Sequence, residues 1–174
     1  DTAGIREAEP HLSHAIIGGL HFTDPLSVSD PHALTVAYRA QFEALGGQFI
    51  IGDAGTLQQQ GERWTVSTQA GPVDAGAAVI ALGPWADLVT NKLGYHLPLA
   101  VKRGYHMHYK PTGNAVLNHP MLDIERGYFL APMAKGIRLT TGAEFALRDA
   151  PRTPVQLARA EPIAKELFPL GERV

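Results

Sequence analysis

The stretch Ala77-Ala78-Val79-Ile80-Ala81-Leu82-Gly83-Pro84-Trp85 decides how the rest of the sequence is read. Its first six residues are apolar at odd and even positions alike. A strand with one wet face alternates in polarity; a strand covered on both faces does not, and parallel sheets cover both. The run stops at Gly83-Pro84, and Trp85-Ala86-Asp87-Leu88-Val89 restarts as a short helix. A buried strand that breaks at glycine into a helix lets main chain approach a flat ligand closely. In isolation the same residues would also describe an ordinary strand-to-helix turn, so their neighbours must decide.

Upstream, Asp30-Pro31 opens the clearest helix: Asp is a good N-cap, and Pro suits the first helical position. Leu34, Tyr38, Phe42 and Leu45 recur on one face, and Gly46-Gly47 ends the helix. Gln48–Ile51 then reads as a strand, completing the helix-to-strand half of a βαβ unit. Thr56–Gln60, Arg63–Thr68 and Val73, separated by Gly61-Glu62 and Ala70-Gly71-Pro72, read as a small antiparallel meander. At the N-terminal end, Glu7–His14 predicts one short helical turn, Ala15–Ile17 is a short apolar run, and Leu20–Thr23 predicts a strand.

Downstream, Leu99–Tyr109 predicts a strand. Ile124–Pro132 and Ile137–Thr141 predict a hairpin around Met133-Ala134-Lys135-Gly136. The last helix spans about Pro154 to Leu167, with Thr153 as cap and Pro162 as a kink. Gly171–Val174 continues a helical pattern. Neither end carries a cap or a start signal, so the chain reads as an internal piece of a longer protein.

Composition removes several function classes. The 174 residues carry 15 Lys+Arg against 17 Asp+Glu, which leaves no basic footprint for nucleic acid. There is no cysteine, so disulfides, thiolate metal sites and a Cys nucleophile are excluded, and a reducing compartment fits. No apolar run reaches the roughly 20 residues of a membrane span. The glycines include no Gly-x-Gly pair, so a pyrophosphate-cradling loop is absent from this stretch. His106 and His108 share a strand face, with His96 and His119 nearby in sequence, yet no third ligand stands at a recognisable spacing, and no metal is expected. No Gly-x-Ser-x-Gly elbow points to a hydrolase.

The ordered set Ala78–Ala86, Leu97–His106 (with Arg103-Gly104-Tyr105-His106), Gly127–Pro132 and Gly136–Glu144 resembles the FAD-dependent D-amino-acid oxidase superfamily, and bacterial D-amino-acid dehydrogenases most of all. The resemblance implies a mixed α/β (α+β) fold. Residues 25–90 would belong to a Rossmann-like FAD-binding domain with its β-meander. Residues 1–24 and 91–174 would belong to a mixed-sheet substrate domain. It implies oxidation of a small amino acid to an imino acid, then a keto acid, by hydride transfer to FAD. Glycine or sarcosine oxidase and proline dehydrogenase chemistry, or a non-catalytic binding module, are the alternatives.

The resemblance also supplies site residues. Ala81, Gly83, Trp85 and Gly104 would approach the cofactor. Arg103, Tyr105, Arg126 and Tyr128 would meet the substrate, with Arg138 as a third candidate for its carboxylate. His106 and Tyr128 would act in catalysis. Because the family's Gly-x-Gly-x-x-Gly segment is missing here, residues 1–174 alone are expected to hold FAD poorly and to be inactive. The partners implied are a small amino acid and an electron acceptor, oxygen or respiratory. The setting implied is the cytoplasm, with or without peripheral attachment to the inner face of the membrane.

Overall fold

A computed structural model describes residues 1–13 and 16–174. The chain forms two compact units: one from residues 1–35, 102–144 and 150–174, the other from residues 36–101 and 145–149. Both units are mixed in secondary structure, with antiparallel sheets.

The second unit contains the meander. Strands β1 (Gly52–Gln60), β2 (Arg63–Thr68) and β3 (Gly71–Ala75) lie in sequence order, each antiparallel to the next. The register slips between Asp53 and Gln58. There the Asp53 carboxylate accepts the Gly55 N–H at 2.8 Å, drawing the backbone into a local turn. Beyond the sheet come a 3₁₀ turn at Gly83–Trp85 and a short helix at Asp87–Thr90.

A long helix, Pro31–Ala44, begins in the first unit and continues into the second. Its N-cap is as the sequence predicts: the Asp30 carboxylate accepts the Ala33 N–H at 3.0 Å. That bond holds the Asp30 pKa below its ordinary value. The apolar stripe is present but uncovered, with Leu34, Tyr38, Phe42 and Leu45 all exposed.

Two predicted strands are absent for the same physical reason. Gln48–Ile51 and Ala77–Leu82 form no ladder among the described residues, and Val79 is 91% exposed. An apolar run becomes a strand only when a neighbour takes its N–H and C=O groups. Leu20–Thr23 is likewise not a strand, and the N-terminal helix covers Thr2–Ala8 rather than Glu7–His14. The Ala15–Ile17 run falls partly outside the described residues.

The first unit holds the hydrophobic core. Its sheet has the order β5-β6-β7-β4-β8, with β4 Lys102–Pro111, β5 Met121–Asp123, β6 Tyr128–Met133, β7 Gly136–Phe145 and β8 Leu170–Arg173. The predicted hairpin is β6–β7, in register from Tyr128↔Thr141 to Met133↔Gly136. The final residues form the edge strand β8 rather than a helix. Their backbone pairs with β4 at Tyr109↔Arg173 and Pro111↔Leu170, a partner 60 residues back that no local pattern reveals.

One face of this sheet is closed by the helix Val155–Leu167. Leu130, Ile137, Leu139, Tyr109 and Tyr128 pack there with Leu157, Ala160, Ala164 and Leu167. Leu130 and Leu139 are fully buried. Pro162 lies inside the helix without dividing it. Thr153 does not cap it: its N–H and hydroxyl are committed to Tyr105 and Glu144.

Glu161 pins the helix to β8 by bonding Arg173, and it also bonds Lys165 one turn along its own helix. The Arg173 bond leads in holding its carboxyl down to about 2, against an ordinary 4.5. A depressed carboxyl contributes stability that is present above its unfolded pKa and lost on protonation. Stability should therefore fall as pH drops from about 4.5 toward about 2. In Glu161→Gln, denaturant midpoints measured across that window should show a shallower fall.

Candidate active-site face

The alternation of β4 divides the predicted site residues between two faces. Tyr105, Met107 and Tyr109 turn toward the helix-covered core. Gly104, His106 and His108 point the other way, onto the open face, because successive side chains of a strand oppose each other. Arg103 shares the side of Tyr105. The four-residue motif Arg103–His106 thus cannot line one cleft with all its side chains.

Arg103 and Tyr105 meet at Glu144. The Glu144 carboxylate accepts from Arg103 Nε at 3.1 Å, Arg103 Nη2 at 2.7 Å, the Tyr105 hydroxyl at 2.7 Å and the Thr153 hydroxyl at 2.5 Å. Arg103 also donates to the carbonyls of Ala150 and Pro151. Bonds from Thr153 and Tyr105, then Arg103, hold the Glu144 pKa below its ordinary value. This cluster ties β4 to the end of β7 and to the approach of the last helix. Arg103 makes four hydrogen bonds there, so the arginine is structurally committed. No local pattern in the sequence marks Glu144 as their meeting point.

Tyr128 lies in the core on the helix side, 1% exposed. No hydrogen bond of ordinary geometry reaches its hydroxyl, and burial, then Asp123, raises its pKa. Its neighbour Phe129 takes the open face, half-exposed, opposite Thr140. The Gly127-Tyr128-Phe129 motif signals the strand but not which aromatic ring faces outward. Arg126 sits in the β5–β6 turn, where its backbone N–H and guanidinium both bond Asp123.

The face away from the helix gathers Gly104, His106 and His108 of β4, Arg138 and Thr140 of β7, and Phe129 and Ala131 of β6, of which Ala131 is buried. Cross-strand partners share a face, which puts Arg138 beside Ala131 and Thr140 beside Phe129. The His106 and His108 rings meet edge to face, 5.4 Å apart. Arg138 Nε donates to His108 Nε2 at 3.2 Å. Burial, followed by the Arg138 charge, lowers the pKa of both histidines. Both imidazoles are thereby favoured as neutral groups. Above Gly104 an added Cβ would meet no atom within 4 Å, so the backbone there is bare.

In the second unit, Gly83 has φ +52° and likewise no neighbour within 4 Å of a Cβ position. Ala81 and Trp85 beside it are exposed. Arg148 holds this turn, donating to the Pro84 carbonyl and to Asp87, each at 2.9 Å. Nothing local in the sequence announces Arg148, which lies more than 60 positions along the chain.

In the first unit, the bare backbone at Gly104 leaves room for a flat ring such as an isoalloxazine to lie against main chain. The sequence holds no Gly-x-Gly cradle for the pyrophosphate of a dinucleotide. Among the described residues no helix is long and apolar enough to cross a membrane.

Known proteins resemble this chain in sequence and in fold. A D-amino acid dehydrogenase of Rhizobium rhizogenes is 36% identical over 110 residues, covering 60% of this chain and 26% of that protein. D-amino acid dehydrogenase 2 of Mesorhizobium japonicum is 30% identical, covering 94% of this chain and 41% of that protein. The chain thus spans between about a quarter and two fifths of these relatives. Glycine oxidase from Geobacillus kaustophilus shares the fold, with a TM-score of 0.72 at 19% identity, over 97% of this chain and 45% of that one. L-proline dehydrogenase from P. horikoshii does so with a TM-score of 0.63 at 16% identity, over 83% and 42%. The FAD dependent oxidoreductase family matches residues 1–174 throughout, and the chain belongs to that family.

Proposed function

We propose that the protein to which these residues belong is an FAD-dependent dehydrogenase that oxidises a small D-amino acid to its imino acid, which water then converts to a keto acid and ammonia. FAD, when bound, would accept the hydride from Cα. Residues 25–90 would serve the cofactor, and residues 1–24 and 91–174 the substrate. The observation that carries this reading is the open face of the five-stranded sheet. It offers bare backbone at Gly104, a neutral imidazole at His106 and a half-exposed ring at Phe129.

Each feature suits one part of an amino acid. Gly104 leaves room for a flat ring and the reacting Cα to lie close to main chain. His106, uncharged, can accept a hydrogen bond from the substrate's amino group and orient it. Phe129 supplies apolar surface for a small side chain. Arg103, Tyr105 and Tyr128 would act through the fold that holds this face. The lack of cysteine suits a cytoplasmic setting. Residues 1–174 alone would hold FAD weakly, for want of the glycine cradle.

Anaerobic bleaching of the flavin in the full-length protein tests the reading. D-alanine should bleach it and L-alanine should not. Bleaching by glycine, sarcosine or proline alone would transfer the activity to those amines. Failure of every amino acid to bleach a stoichiometrically bound flavin would overturn the reading.

A further inference from the structure

Gly104 is the residue of β4 least able to fix its own position. Glycine adopts a wider range of backbone angles than any other residue. It has no side chain to anchor it, and an atom at its Cβ position would meet nothing within 4 Å. It is also the third residue of β4, close to where the chain enters the first unit at residue 102. The ends of elements fray unless something ties them down. On the β8 side the ladder pairs Tyr109 and Pro111, toward the far end of the strand.

The tie comes from Glu144. Arg103 and Tyr105 flank Gly104, and both side chains turn to the helix side of the sheet. There Arg103 Nε, Arg103 Nη2 and the Tyr105 hydroxyl converge on one oxygen, Glu144 Oε1, at 3.1, 2.7 and 2.7 Å. The residue before the glycine and the residue after it are thus held by the same atom. Glu144 is held in its turn. Its Oε2 accepts the Thr153 hydroxyl, and the Thr153 N–H donates to the Tyr105 hydroxyl at 2.8 Å. The Arg103 and Glu144 side chains are 18% and 24% exposed, so solvent screens this pair less than an ion pair on the surface. Arg103 also grips the carbonyls of Ala150 and Pro151, where the chain re-enters the first unit. Every residue of the cluster belongs to that unit.

We propose that Glu144 is a positioning residue for the reaction: by gripping Arg103 and Tyr105 on the helix side of β4, it fixes the main chain of Gly104 on the opposite side, where the flat ring and the reacting Cα would lie. This rests on the reading of the open face as the substrate side, and it deepens that reading by naming the group that sets the backbone there. Glu144 acts through β4 and not by contact with substrate or cofactor. Arg103 supplies the charged bonds and Tyr105 a single neutral one, so Tyr105→Phe leaves the main grip in place.

The test uses the full-length holoprotein. Glu144→Gln removes the charge and keeps the shape. At matched flavin occupancy, the limiting rate of flavin reduction by D-alanine should fall by about 10- to 100-fold, the scale of a displacement near 1 Å. The D-alanine concentration for half-maximal rate should stay within a few-fold of the wild type, a split that general loss of fold does not produce. Amide hydrogen exchange should quicken from Gly104 to His106 and stay unchanged at Leu130 and Leu139. Arg103→Met should lower the limiting rate by a similar factor. The double variant should lose no more than the worse single one, because each residue acts through the other. Should Glu144→Gln fail to fold, Glu144→Asp and Arg103→Lys keep both charges and carry the test, with smaller losses of the same pattern. An unchanged limiting rate in the folded variants would overturn the inference, as would losses that add in the double variant or wild-type exchange at Gly104. If no amino acid reduces the wild-type flavin, the activity proposed above fails, and exchange at Gly104 alone decides whether Glu144 holds it.

Discussion

Gly136→Ala is expected to destabilise the five-stranded sheet by about 2–5 kcal/mol, summing a strained left-handed conformation and a clash. Gly136 opens β7 with φ +115°, a value that L side chains rarely adopt. A Cβ there would stand 2.5 Å from the carbonyl oxygen of Tyr109. That neighbour is main chain of β4, so no side-chain rotation relieves the overlap. Tyr109 is fully buried between the sheet and the last helix, and moving its carbonyl would disturb the core. The effect should appear as a lower denaturant midpoint together with faster hydrogen exchange at the Leu130 and Leu139 amides. A midpoint within experimental error of the wild type would show that β7 and β4 do not approach in this way.

The contact at Gly136 marks where sequence reading succeeds and where it stops. The hairpin β6–β7 is legible because its pattern is local: two apolar runs joined by a short turn that contains glycine. The Asp30 cap and the meander are legible for the same reason. Residues 48–51 and 77–82 show the limit. Their composition states that they are meant to be covered, but not by what, and the described residues supply no partner strand. The edge strand β8 was invisible because its partner lies far back in the chain.

The candidate site residues were legible as positions on strands and not as directions. Arg103-Gly104-Tyr105-His106 marks β4 correctly, yet a strand sends alternate side chains to opposite faces. A motif of four residues therefore holds two sites, one structural and one open. Glu144 decides which is which, since it gathers Arg103 and Tyr105 from 41 and 39 residues away. A similar one-residue step separates Tyr128, in the core, from Phe129, on the open face.

The second large effect follows from the bare backbone of β4. In Gly104→Val the added Cβ has no atom of the described chain within 4 Å. A branched residue also suits an extended strand. The fold should therefore tolerate the change, with stability within about 1 kcal/mol of the wild type. The cost falls on whatever must lie against Gly104. A flat ring or a Cα displaced by about 1 Å from its working position loses on the order of 100-fold in rate. Tyr105→Phe, one position along, is the counterpart. It removes a hydroxyl bonded to Glu144 and Thr153 on the helix side and leaves the open face untouched.

The most direct measurement is the single-turnover rate of flavin reduction by D-alanine in the full-length protein, compared between Gly104→Val and Tyr105→Phe at matched flavin occupancy. The account predicts a loss on the order of 100-fold for Gly104→Val and a rate within a few-fold of the wild type for Tyr105→Phe. Wild-type reduction by Gly104→Val, with the loss in Tyr105→Phe instead, would place the chemistry on the opposite side of β4 and contradict it.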